Sequence, residues 1–588
     1  MPDRNRPHDL NADLSTPNPL SRPVVVGPAV WGLILLAIAL LSVLGLLQIR
    51  VSAYDDSSLL LGARLLRNGQ LPYVDFYTPY GPLGYSLVAT ALSLNNNFGL
   101  ALRAFQGILL VASIAFLLWM GRKGPSGSLG LLGGGGVALS AFLMTNVFWQ
   151  PPFLGFTFCL ASLAMVCLSR AAPSRALANL AAGGGGVALA CAVLIRPVFA
   201  GYALLGIVAV ELAGRGRPNR EPGDAGRPAL FLVALLLSLP LIWILLYPRV
   251  SPAAAIEASI LIPSRVFSGG QRGLDPGHLL PVSSSALAAW LGPLMAAVVA
   301  MTLASFVIAA RRAAARALVP ATGLLGALGA LALRGSSTPG SRVALVAAVL
   351  ALVGLAATLL MKTEIRESPS LAAAAAFGLT AIAFGHYFWT RPDAAHLAPP
   401  LAFAAVSAAM AWRTLGMARR AVLVSLFGIL ALVAPQLPQR VIAVAASGRR
   451  LSRNPWPAAV IPRDAVEAVR FADEQSARGS RFVAVASTQA STSGNPVRLF
   501  LFSSRLPYTR WYTYEPGLQN SAGVQAEMAK DLASSGSRAA IVWQTGRYLY
   551  EPRFDDLDKK TPFDEMFDRL YPVRAAQFGE YEVRLRAE

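Results

Sequence analysis

The chain has 588 residues, of which 55% are hydrophobic and 14% charged, and its mean hydropathy is +0.52. A soluble globular chain carries about 25% charged residues, so this balance excludes an ordinary soluble protein and points to a membrane. The net charge of +20, from 51 Lys and Arg against 31 Asp and Glu, does not indicate nucleic acid. The basic residues cluster in short loops between apolar runs, with no zinc-finger spacing or basic stripe.

Residues 1–28 are polar and Pro-rich, with Asp3, Asp9 and Asp13 among basic residues, and read as a cytoplasmic tail. The apolar run that follows is too long for a signal-peptide core and lacks a clear small-residue cleavage site, so an uncleaved anchor is expected. A span needs about 20 apolar residues. Candidate spans fall near 29–49, 99–120, 129–149, 153–169, 177–195, 198–213, 229–247, 285–310, 317–333, 343–361, 371–389, 396–412 and 420–436. The fold class expected is therefore an α-helical polytopic membrane protein of about 13 spans. The loops holding Arg122/Lys123, Arg170/Arg175, Arg215 to Arg227, Arg311 to Arg316, Lys362/Arg366 and Arg413 to Arg420 are short and basic, as cytoplasmic loops are. The opposite loops carry Asp55, Asp56, Asp75, Glu257, Asp275 and Asp393. This pattern predicts an N-terminus inside and a C-terminal region outside. Trp31, Trp119, Trp149, Trp290, Trp389 and Trp412 lie near span ends, as an aromatic belt does. Cys159, Cys167 and Cys191 all lie in apolar segments, so no disulfide framework is available to the outer parts. Glycine runs at 133–136 and 183–186 fall inside spans, where small residues permit close helix approach.

The most informative stretch is the loop after the first apolar run, within the outer segment 50–98. It reads Tyr54-Asp55-Asp56, then Leu71-Pro72-Tyr73-Val74-Asp75, then Tyr80-Gly81-Pro82-Leu83-Gly84-Tyr85. Adjacent acids at a membrane edge are costly and are rarely idle. Residues 83–95 are apolar but too short to span and read as a helix lying in the interface. The acidic pair, short helix, Leu-Pro-Tyr-x-Asp and Gly-Pro-Leu resemble the first extracytoplasmic loop of the GT-C glycosyltransferases. Those multi-spanning enzymes use polyprenyl-phosphate sugars. Within the class, the loop is similar to bacterial members related to protein mannosyltransferases and to the aminoarabinose transferase of lipid A.

The resemblance makes Asp55 the general base that takes a proton from the acceptor hydroxyl. Asp56 stands where many relatives carry Glu; the pair also suits capping of a helix starting near Ser57. Asp75 either lies close to the site, as in the family element, or closes a turn set by Pro72. A second element, Thr390-Arg391-Pro392-Asp393-Ala394-Ala395-His396-Leu397, falls in a later outward loop and resembles bacterial members of the class. Arg391 would hold the leaving phosphate bidentately, Asp393 would orient it and His396 would add a donor. A helix cap by Asp393 beside a snorkelling Arg391 is the plainer alternative. Arg196, Arg103, Arg265 and Arg272 are further outward cations suited to a lipid phosphate, or to snorkelling.

Beyond 437 the composition changes. Residues 437–461 read as a linker and 462–588 as a small extracytoplasmic α/β domain. Helices are expected from Asp464 to about Ala477, with Val466, Val469 and Phe471 inward, and over Gln525–Ser534 and Phe563–Leu570. Strands are expected at Arg481–Ser487, at Ala539–Gln544 and, on an edge, at Tyr581–Leu585. The aromatic segment Pro507–Gly517 suits packing first, and sugar contact or membrane seating second.

The function expected is transfer of a hexosyl or pentosyl group, with inversion, from a polyprenyl-phosphate-linked donor to a hydroxyl of a lipid, glycan or protein acceptor. The enzyme would sit in the bacterial cytoplasmic membrane, and its acceptor would belong to the cell envelope. No cofactor is required by the motifs; the Asp pair would support a divalent cation, although no second ligand cluster lies close in sequence. The alternatives are a lipid-linked glycan flippase or transporter, and a non-catalytic scaffold. Ion-coupled transporters place acids at the midplane of spans, whereas the acids within these spans reduce to Glu211, near the inner end of the sixth.

Overall fold

The computed structural model of the protein describes residues 55–94, 152–172, 174–215, 226–262, 369–390, 463–487, 496–512, 518, 521–544 and 560–587, with isolated positions at 399, 403 and 406–407. Helix α1 (Asp55–Arg67) starts the described chain and α2 (Leu83–Leu94) follows the intervening loop. Five longer apolar helices come next: α3 (Pro152–Ala171), α4 (Arg175–Ile195), α5 (Pro197–Arg215), α6 (Gly226–Leu246) and, after a short helix α7 (Pro252–Ile256), α8 (Pro369–Thr390). Each coincides within a few residues with a span expected from the sequence. The other expected spans lie outside the described residues.

Among the described residues, α4 and α6 are long and apolar enough to cross a membrane by length and composition. Helix α6 leaves Leu236, Leu237, Ile244 and Leu245 more than 60% exposed, a surface suited to lipid or further apolar helices and costly in water. The glycine run of α4 serves close packing. The Ser162 hydroxyl of α3 donates to the Gly185 carbonyl at 2.8 Å. A Cβ on Gly186 would lie 2.3 Å from the Phe231 carbonyl of α6, so only glycine lets these two backbones approach. Phe199 on α5 and Phe384 on α8 meet edge to face at 4.7 Å, and Phe384 stacks on Phe403 at 5.0 Å.

The bundle has two distinguishable ends. At one, Arg170 near the end of α3 pairs with Glu211 of α5 at 2.5 Å. At the other, where α4 ends and α5 begins, the Gly81 amide donates to the Ile195 carbonyl at 2.8 Å. Tyr247, just past α6, hydrogen-bonds Ser86 of α2 at this same end.

The tail contains α9 (Arg463–Gln475), β1 (Val483–Ala486), α10 (Val497–Phe502), α11 (Ala522–Ser534), β2 (Ala539–Trp543), α12 (Pro562–Leu570), β3 (Val573–Phe578) and β4 (Tyr581–Leu585). The strands form one sheet in the order β1-β2-β4-β3. β1 and β2 are parallel, and the crossover that such a pair requires carries α10 and α11. All of β2 is buried. Several details differ from the sequence reading, among them α10 and β3, neither of which it expected. β4 lies between β2 and β3 rather than on an edge. The edge is β3, whose mostly exposed Val-Arg-Ala-Ala-Gln-Phe lacks the apolar alternation that marks a half-buried strand. On α9 the buried side is Ala465, Ala468, Val469 and Ala472, with Val466 and Phe471 only partly covered; alanines let the helix lie close to the sheet.

Candidate functional site

The acidic pair Asp55-Asp56 forms the first two residues of α1. The helix thus begins two residues earlier than the capping reading expected. Leu59, Leu60, Leu61, Ala63 and Leu65 are at most 3% exposed, so α1 is covered on several sides. It packs on α2 and on α10 of the tail. Arg67 near its end donates to the Leu92 carbonyl at 3.2 Å, a favourable place for a cation beside helix carbonyls.

The loop after α1 is built from short-range hydrogen bonds. The Leu71 amide donates to the Asp75 carboxylate at 2.7 Å, and the Asp75 amide donates back to the Leu71 carbonyl at 2.9 Å. Asp75 therefore closes the Leu-Pro-Tyr-Val-Asp turn. Tyr73 adopts a φ of 68°, uncommon for a side-chain-bearing residue. Its amide donates to the Phe76 carbonyl at 2.7 Å and its hydroxyl to the Tyr80 carbonyl at 2.7 Å. Burial, reinforced by Tyr85, Tyr247 and Tyr77, holds its phenol well above the ordinary pKa, so Tyr73 acts as a neutral donor. The Thr78 and Tyr85 hydroxyls share a 2.6 Å bond.

Gly81 touches the bundle itself. A Cβ there would sit 2.1 Å from the Leu194 carbonyl oxygen, so the contact is backbone on backbone. Next in sequence to this contact is Arg196. Its guanidinium lies 5.1 Å from the Tyr80 ring centroid and 4.8 Å from that of Phe199, within cation–π range of both. One predicted cation is thus brought to the first outer loop. Arg391, Asp393 and His396, with Arg103, Arg265 and Arg272, lie outside the described residues. Helix α8 ends at Thr390, directly before the Arg391 element. Among the described residues, no three His, Cys, Asp or Glu side chains group as a metal would need; the side chains of Asp55 and Asp56 are not part of that set.

The tail domain covers the same loop. The Tyr77 amide donates to the Arg510 carbonyl at 2.9 Å. The rings of Tyr77 and Trp511 lie 4.9 Å apart, and those of Phe76 and Tyr512 lie 6.2 Å apart. Tyr508, Trp511 and Tyr512 are all buried, so packing is the use made of this part of the aromatic segment. Arg510 holds Glu527 by two bonds, at 2.7 and 3.1 Å, and lies over the Trp511 ring at 4.7 Å. Burial raises the Glu527 pKa, but the bonds and charge of Arg510 outweigh it and keep this carboxyl below its ordinary value. On α1, Arg64 reaches the tail carbonyls of Leu501, Ser503 and Arg505. The sequence reading missed Arg64 and named Gly81 only as part of the Gly-Pro-Leu element, without its footing on α4. The available signal for Arg64 was a cation set among leucines on a short helix.

No family model matches the chain, and no curated protein matches its sequence. Solved structures match it in shape. Among them are an archaeal oligosaccharyltransferase and a bacterial ArnT. The Archaeoglobus fulgidus oligosaccharyltransferase tethered with an acceptor peptide is 14% identical with a TM-score of 0.49, over 87% of this chain and 69% of that one. The same protein in complex with Zn and sulfate gives 13% and 0.47, over 87% and 67%. ArnT from Cupriavidus metallidurans bound to undecaprenyl phosphate gives 14% and 0.44, over 95% and 98%.

Proposed function

We propose that the protein is a membrane glycosyltransferase that moves a sugar from a polyprenyl-phosphate carrier to a hydroxyl acceptor at the outer face of the cytoplasmic membrane. The observation that carries this reading is the acidic pair at the start of a buried helix. Its loop lies at the end of the bundle where Arg196 stands. In the reaction, Asp55 takes the acceptor proton and the freed oxygen attacks the anomeric carbon. The bond from that carbon to the carrier phosphate breaks, its electrons leave with the phosphate, and the anomeric centre inverts. Asp56 supports the base. Arg391 and Arg196 offset the charge of the departing phosphate, Asp393 orients Arg391, His396 donates to the substrate and Asp75 holds the loop in shape. A hexosyl or pentosyl donor and a cell-envelope acceptor fit this chemistry. The direct test is sugar transfer by purified protein supplied with polyprenyl-phosphate-linked donors. Absence of transfer across donors that the protein binds would remove the reading.

A transporter reading gains nothing from Glu211, because that acid is already ion-paired to Arg170 with both side chains at most 20% exposed.

Two further outcomes are expected. The hydrogen bonds between the tail and the first loop support a shared face of the membrane, and the basic loops favour the outside for it. A cysteine replacing exposed Arg478 should react with an impermeant thiol reagent in intact cells. Reaction only after membrane disruption would place the tail in the cytoplasm. At Arg391, bidentate phosphate contact depends on the guanidinium fork. Arg391→Ala should weaken donor use strongly and Arg391→Lys should restore only part. Full activity with Lys, together with unchanged donor affinity with Ala, would mark a snorkelling residue and pass the phosphate role to Arg196, Arg265 or Arg272.

A further inference from the structure

The Arg64 guanidinium does not point to water, as a cation on a short amphipathic helix commonly does. Nη1 donates to the Leu501 carbonyl at 2.9 Å and to the Ser503 carbonyl at 2.6 Å, and Nη2 donates to the Arg505 carbonyl at 3.2 Å. Leu501 and Ser503 stand at the end of α10, where carbonyls lack helical donors. These carbonyls are themselves anchored. Arg505 donates to the Asp473 carboxylate of α9 at 2.9 and 2.5 Å, to the Ala472 carbonyl at 2.9 Å and to the Ser480 hydroxyl at 2.9 Å. The Ser503 hydroxyl adds a 3.0 Å bond to Asp473. A continuous set of polar contacts thus runs from the helix that opens with the acidic pair into the body of the tail domain. A second tie joins the same two parts at Tyr77 and Arg510.

We propose that Arg64 is a positioning residue: it pins the helix beginning with Asp55 and Asp56 to the tail domain, so that the tail sets where the acidic pair stands. The inference rests on the glycosyltransferase reading for its consequence in catalysis, while the pin itself stands on geometry alone. The guanidinium is suited to the task because its rigid fork reaches three carbonyls at once; an ammonium is a point charge and cannot hold that span. The tail is then part of the enzyme's working geometry rather than cargo carried by the membrane domain.

Hydrogen exchange of the full-length protein in lipid nanodiscs tests the pin without any reaction. Arg64→Ala should raise exchange over residues 57–81 by about 10-fold or more while β1–β4 stay protected. Arg64→Lys should fall between, and free guanidinium at low millimolar concentration should restore protection to the Ala variant. Asp473→Asn, which loosens the anchor from the tail side, should also raise exchange over 57–81. Unchanged exchange there in Arg64→Ala would overturn the proposal. So would loosening that reaches β1–β4 equally in both variants. In the transfer assay, Arg64→Ala should lower kcat by about 10²-fold, the cost of a misplaced reacting group, with donor KM unchanged. A loosened loop with wild-type kcat would refute the positioning role. If the wild type transfers no sugar, the functional reading fails, yet exchange still decides whether the pin exists.

Discussion

Asp55→Asn should yield a folded, donor-binding protein whose transfer rate falls by about 10²–10⁴-fold, the usual contribution of one positioned base. Asn keeps the size and hydrogen-bonding capacity of Asp but cannot accept the acceptor proton. The substitution therefore removes one chemical role with little change of shape. Residue 55 is the first of α1, and the buried leucines that fix the helix lie a turn further on. Binding of the donor should survive if, as proposed, it depends on cations elsewhere. Asp56→Asn should cost less if Asp56 only supports the base. The measurement is single-turnover transfer from a radiolabelled lipid-linked sugar, beside equilibrium donor binding. Near-normal turnover by Asp55→Asn with an inactive Asp56→Asn would exchange the two roles, and normal turnover by both would remove the mechanism.

Gly81→Ala is expected to be the most damaging conservative change in the first loop. The new methyl would sit 2.1 Å from the Leu194 carbonyl oxygen and 2.4 Å from its carbon. Neither atom belongs to a flexible side chain, so the loop must lift from the end of α4. That movement also lengthens the 2.8 Å bond to Ile195 and separates Tyr80 from Arg196. Overpacking of this kind costs about 1–3 kcal/mol, and the misplaced loop adds a loss of transfer. The control is Gly201→Ala on α5, where an added Cβ meets nothing within 4 Å and alanine favours the helix by about 1 kcal/mol. Thermal melts in detergent should show a lower transition for Gly81→Ala and an unchanged or higher one for Gly201→Ala. Equal melting and equal transfer by the two variants would mean that the loop does not rest on α4.

The apolar helices were legible because a run of about 20 apolar residues has few other uses. Three of the four tail helices and the buried strand Ala539–Trp543 followed from periodicity, whereas α10 (Val497–Phe502) was not expected. The strand at Val573–Phe578 did not, since an exposed edge has no apolar face to advertise. β4 was read as an edge because the sequence does not disclose its neighbours. Asp75 offered a site role and a turn role in the sequence, and its bond to the Leu71 amide accounts for the turn. The pairing of Arg170 with Glu211, the footing of Gly81 on α4 and the reach of Arg64 into the tail were invisible for one reason. Each joins residues distant in the chain, whereas periodicity and caps report only neighbours along it.

The bond between Arg64 and Leu501 joins residues 437 positions apart, and this has a consequence for biogenesis. The acidic helix leaves the ribosome well before the residues that make its final seat. At about 5–20 residues per second, the helix waits roughly 20–90 s for that seat. During this interval the nascent protein holds its acids without their final scaffold. If the tail positions the acidic pair as proposed, transfer begins only after the tail has folded against the first loop, and folding of the tail then serves as an assembly checkpoint.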